Sequence, residues 1–124
     1  MTHLFYALVL LAAQVAPNAG EPADVGGAGG AMSLTQMVSE TQEALLGMSA
    51  GLRRASDILR EARQSTDIVR MNCVNEKLTV IKGIIRIAED ASEGLNEAVS
   101  RRNEDQAAYE HNKVKISLDR VNSL

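Results

Sequence analysis

Cys73, His111 and the carboxylate row Glu89, Glu93 and Glu97 are the side chains of this 124-residue chain whose chemistry reaches beyond packing. Cys73 is the sole thiol, and three roles are open to it. It reads as a small, half-buried apolar side chain, as half of a disulfide to another chain or to a segment beyond this sequence, or as a nucleophile. Arg70 and Lys77 stand near it in sequence, but no histidine is placed to act as its base. His111 would need ligand partners three or four residues away to hold a metal, and those positions are Ala107, Ala108, Val114 and Lys115. It therefore reads as a packed residue, with a pH-sensitive role resting on it alone. The carboxylate row repeats every four residues and ends at Arg101, the pattern of a solvated helix surface, with loose cation binding as the chemical alternative.

Arg53, Arg54, Arg60, Arg63 and Arg70 form a basic stretch interrupted by Asp57, Glu61 and Asp67, which neutralise much of it along a helix. Contact with an anionic lipid or cell-wall polymer is the alternative for that stretch. No serine or cysteine triad, glycine-rich phosphate loop, C-x-x-C pair or paired metal motif occurs. Neither an enzyme nor a cofactor, a metal site or a small-molecule substrate is expected. A net charge of −3 is too balanced for a general nucleic-acid binder. Tyr109 is the only aromatic ring after Tyr6, so no stacking platform for bases is available.

The elements that carry these residues follow from hydrophobic period. One seam runs Leu34, Val38, Thr41, Leu45, Met48, Leu52, Ala55, Leu59, Ala62, in alternating steps of four and three. That spacing is the stripe a helix buries against another helix. Two more seams follow, Val74, Leu78, Ile81, Ile85, Ala88, Ser92, Leu95, Val99 and then Ala107, His111, Val114, Leu118, Val121. The first helix is predicted from an N-cap at Ser33 to about Arg63, with a turn at Gln64 to Asp67. The second spans about 67–101. Asn103 with Gln106 has the form of a capping box for a third helix near Glu104, against the rival of one continuous helix from 67 to 124. An antiparallel turn there would set Lys113 and Lys115 opposite Glu89, Asp90 and Glu93. Gly47-x-x-x-Gly51 reads as a weak point on an exposed helix face, with close packing against a neighbour as the other possibility.

Helix two carries a second stripe, Val80, Ile84, Ile87, Ala91 and Ala98, and so a face broad enough for two neighbours. Val80, Ile84, Ile87 and Ala91 are the candidate interaction face. The expected fold class is all-α, an antiparallel two- or three-helix bundle with coiled-coil-like heptad seams.

Residues 4–13 are ten consecutive apolar residues, the length of a signal-peptide core and half that of a membrane span. Domain organisation is read as a signal peptide over 1–19, a Gly/Ala/Pro-rich flexible linker over 20–32 and a helical bundle over 33–124. The functional expectation is a non-enzymatic exported protein of the periplasm or envelope, acting through a protein partner or self-association. A small periplasmic chaperone or stress-sensing module is one alternative. A membrane-tethered coiled coil with an uncleaved anchor is another, and the leader is then its only membrane contact.

The run Met71-Asn72-Cys73-Val74-Asn75-Glu76-Lys77-Leu78-Thr79, followed by Ile81-Lys82-Gly83-Ile84-Ile85, resembles a group of short exported bacterial helical proteins to which no activity is assigned. Glu61-Ala62-Arg63-Gln64 upstream and His111-Asn112-Lys113-Val114-Lys115-Ile116 downstream fit the same pattern, and the likeness covers roughly 55–124. It implies a helical envelope protein with a second cysteine downstream as partner for Cys73, whereas this sequence holds one cysteine. Intact-mass measurement of the protein recovered from the envelope tests the leader. Loss of residues 1–16 or more is expected, and their retention would support the anchored alternative.

Overall fold

Three helices, α1 (Leu34–Gln64), α2 (Ile68–Ser100) and α3 (Glu104–Asn122), account for nearly all of residues 31–124, the part of the chain that the computed structural model describes. The expected leader at 1–19 and all but the last two residues of the linker lie outside these described residues. Each helix packs on both others, and the fold is an all-α antiparallel three-helix bundle. The alternatives of two helices, or of one continuous helix from 67 to 124, are therefore wrong.

Local chemistry sets every boundary. Ser33 caps α1 as expected, and its partner is Gln36. The Gln36 amide donates to Ser33 Oγ at 3.2 Å while the Ser33 amide donates to Gln36 Oε1 at 3.0 Å. Asn103 caps α3 through the Gln106 amide, but the reciprocal half of the expected box is missing: the Gln106 side chain donates to Glu110 instead, at 2.9 Å. The two connections, Ser65–Thr66–Asp67 and Arg101–Arg102–Asn103, share one design. In each, the middle residue is left-handed (Thr66 φ 58°, Arg102 φ 54°) and its amide returns to the carbonyl three residues back. The next amide returns five residues back, Asp67 to Ala62 and Asn103 to Ala98, and that same residue's side chain caps the following helix. This is the Schellman arrangement followed at once by an N-cap. It needs no glycine, so the break at 102 carries no Gly or Pro.

The core is aliphatic and layered. Met37, Leu95, Ala98 and Ala107 close the end where α1 starts and α2 meets α3. Ala44, Met48, Ile81, Ile84, Ala88, Ala91, Val114 and Val121 fill the middle from all three helices. At the far end Leu59, Val74 and Leu78 pack between α1 and α2 alone. Met37, Ala44 and Gly51, outside the predicted α1 seam, are buried because α3 covers that second flank. The same contact corrects the reading of Gly47 and Gly51 as points on an exposed face. A Cβ on Gly47 would lie 3.3 Å from Leu118 Cδ1, and one on Gly51 would lie 3.1 Å from Val121 Cγ1. Lys113 pairs within its own helix, with Glu110 at 2.6 Å. The antiparallel turn brings Lys113 near enough to Asp90 for the carboxylate to favour its charge, although among the described residues neither Lys113 nor Lys115 forms an ion pair with Glu89, Asp90 or Glu93.

Two of these features cost stability. Thr66 is β-branched and left-handed, and Thr41 Oγ1 is buried with no hydrogen-bond partner among the described residues. Thr66→Gly and Thr41→Val should each raise the unfolding free energy by about 1 kcal/mol in urea titrations. Gly51→Leu should lower it by about 1–3 kcal/mol by overpacking against Val121.

Candidate interaction groove

α3 stops short. Val121 packs on Gly51, and Lys77 Nζ donates to the Leu124 carbonyl oxygen, so the C-terminal end of α3 lies level with the middle of α1 and the first third of α2. Beyond it run thirteen residues of α1 (Leu52–Gln64) and thirteen of α2 (Ile68–Val80), about 20 Å of two-helix hairpin without a third helix. A groove of about 350 Å³ opens there. Gly51, Arg54, Ala55 and Ile58 form its α1 wall, and Cys73, Val74, Lys77 and Ile81 its α2 wall. Val121, Asn122 and Leu124 close one end.

The second stripe of α2 explains why this surface is apolar. Its period continues from Ala98, Ala91 and Ile84 through Val80 to Cys73, seven residues further toward the helix start. Where α3 is present it covers Ile84, Ala91 and Ala98 of the stripe but leaves Ile87 at the edge exposed; where α3 has ended the stripe is open. Half of the predicted interaction face is thereby corrected. Ile84 is 6% and Ala91 1% exposed, both in the core, because α3 sits on them. Val80 at 44% and Ile87 at 55% remain accessible. Cys73 is a free thiol and exposed, not half-buried. It gains a place on the wall of a concave surface.

The other residues singled out from sequence stay apart from the groove. His111 is buried on α3, and its Nε2 lies 2.9 Å from Glu40 Oε2 on α1, a partner 71 positions away that no local pattern could reveal. Glu110 is also buried. Its carboxylate takes Gln106 and Lys113 and rests against the α2 backbone at Gly94, where a Cβ would come within 2.8 Å of Glu110 Cδ. The hydrogen bond to Glu110 holds the Lys113 ammonium above the ordinary lysine value of 10.5, outweighing a smaller opposing effect of desolvation. Lys113 Nζ also lies 4.8 Å from the Tyr109 ring centroid. Glu97 pairs with Arg101 at 2.6 Å on an exposed surface. The expected i+4 neutralisation of the basic stretch takes another form, Asp57 with Arg60 at i+3 and Glu61 across to Arg70 on α2. Among the described residues no cluster of three His, Cys, Asp or Glu side chains could hold a metal ion, and no helix is long and apolar enough to cross a membrane.

What this arrangement can do is hold apolar side chains between two helices, with a cation on each wall and a thiol beside them. Compared with known proteins, the chain matches no family model, no curated protein and no solved structure. The groove's own geometry therefore carries the functional reading. The exposed thiol makes one property directly measurable. Native protein should consume one equivalent of a thiol reagent without denaturant, and Cys73→Ser should change the unfolding free energy by less than about 0.5 kcal/mol.

Proposed function

We propose that this chain is a non-enzymatic helix-docking protein, whose open α1–α2 end receives an amphipathic helix from a protein partner. One observation carries the reading. The stripes of α1 and α2 that α3 covers further along the bundle continue past the end of α3, and over about two turns there, Gly51 to Ile58 on α1 and Cys73 to Ile81 on α2, the surface is concave and largely apolar. A space bounded by two antiparallel helices, in line with a third, has the dimensions of a helix.

The apolar segment 4–13 supports placing this activity outside the cytoplasm, in the periplasm or envelope, as does the resemblance carried by residues 71–85. A helix lying in a groove of about two turns buries less than the roughly 1,200 Å² that separates stable from transient interfaces. Docking is then reversible, with a Kd on the order of 10 µM.

Fluorescence polarisation with fourteen-residue peptides tests the reading. Amphipathic peptides bridged into a helix should bind the full chain, and the same compositions interrupted by proline should bind at least tenfold more weakly. Ile58→Asp with Cys73→Asp should abolish binding with little change in thermal unfolding, since both side chains line the groove and are exposed. Equal binding of helical and proline-broken peptides would end the docking reading.

A further inference from the structure

The groove past the end of α3 has the make-up of a small-ligand site. Its volume of about 350 Å³ falls in the range of pockets that hold small molecules, and its walls are mostly apolar. Ala55 and Ile58 on α1 stand across from Val74 and Ile81 on α2, with Cys73 beside them. Along the helix axes the lining runs about 10–12 Å, from Gly51 to Ile58 and from Ile81 to Cys73. One charge in it is uncommitted. Lys77 is held by the Leu124 carbonyl oxygen, whereas Arg54 has no carboxylate partner among the described residues. The Arg54 guanidinium turns toward the end that α3 closes. Its Nη2 would lie 3.7 Å from a Cβ on Gly51, the same point that Val121 Cγ1 approaches to 3.1 Å. The Asn122 carboxamide lines that end as well. A cation and an amide donor therefore sit together at one end of an apolar trough.

We infer that this groove binds one single-chain anionic amphiphile, a medium-chain fatty carboxylate, with its head at Arg54 and its tail laid toward Cys73. Each part of that ligand answers to one feature of the site. The carboxylate accepts from the Arg54 guanidinium and the Asn122 amide, a charge-assisted arrangement. The tail covers the apolar walls, and removing those from water supplies the driving force. The length of the lining limits the tail to medium size, and the volume holds one chain and not the two of a phospholipid. A cationic amphiphile would set its head against Arg54, and an uncharged one would gain nothing from the guanidinium. The inference goes beyond helix docking and does not rest on it. Both ligands would use the same apolar walls, so each would displace the other.

Isothermal titration of the full chain with decanoate, kept below its micellar range, tests the inference, and one saturable site is expected. Cys73 gives a second readout, because it lines the groove and is the chain's only thiol. Saturating decanoate should slow its alkylation by uncharged iodoacetamide at least tenfold. Decanol and decylammonium should bind more weakly than decanoate, by about fivefold or more. Arg54→Gln should weaken decanoate by about fivefold and leave decanol unchanged, with the helical circular dichroism unaltered. Arg63→Gln, at an exposed arginine outside the groove, should change neither affinity. Equal binding of decanoate and decanol, or an unchanged decanoate affinity in Arg54→Gln, would overturn the assignment of an anionic head. Binding without saturation, or alkylation of Cys73 at an undiminished rate, would overturn the groove as an amphiphile site and leave helix docking to its own peptide test.

Discussion

The close approach of α3 to its two neighbours is the constraint on which the rest of this structure depends. A core with no aromatic ring has only methyl and methylene groups to fill the space between helices, so the helices must come near one another. Gly47 and Gly51 let Leu118 and Val121 reach the α1 backbone, and Gly94 lets the Glu110 carboxylate lie against α2. Glycine inside a helix costs roughly 1 kcal/mol relative to alanine. Here that cost is offset by contacts a Cβ would exclude. Where α3 approaches, the α1 stripe shifts from the two-helix seam to Met37, Thr41, Ala44, Met48 and Gly51. Where α3 ends, the hairpin stands open.

Polar contacts orient α3 without supplying most of its stability. The His111–Glu40 contact joins α3 to α1 with one side chain buried and the other half-buried. A hydrogen bond of this kind contributes on the order of 1 kcal/mol net. Losing an aliphatic side chain such as Leu95 or Val114 from the core would cost about 2–5 kcal/mol for a leucine and less for a valine. The pair therefore has more influence on register than on stability. It binds one residue of α3 to one of α1, and a shift by a helical turn would bury His111 without Glu40 and move the Glu110 carboxylate off Gly94 onto a residue bearing a Cβ.

The same economy of contacts shapes the groove. Two helices closed by Leu59, Val74 and Leu78 form a thin layer, with little apolar area to hold the hairpin tip together. A third helix there would add apolar area. This ties the proposed docking to the bundle's own architecture, since the surface that would bind a partner continues the surface that binds α3. Affinity and local stability of the tip are then linked, because a ligand that binds only the folded hairpin stabilises it.

Much of the fold was legible from residue order alone. Helix boundaries and most of the inward seams follow from period and from capping chemistry, which act within a few residues; Ser33 and Asn103 cap where a local reading places them, Asp67 falls inside the expected turn, and residue order alone leaves the number of helices between two and three. The nature of the core was also legible, since after Phe5 and Tyr6 the only Phe, Trp or Tyr is Tyr109, which leaves aliphatic groups to fill the helix contacts. The breadth of the apolar face on α2 announced a third helix, but not how far along α2 it would reach. Tertiary packing alone decided that Ile84 and Ala91 are core while Val80 is open, and that Gly47 and Gly51 are contacts and not weak points. It also chose Glu40 as the partner of His111 and placed Cys73 on a groove wall. Each of these depends on the relative length and axial position of helices distant in sequence, a property of three-body packing that no window of neighbouring residues contains.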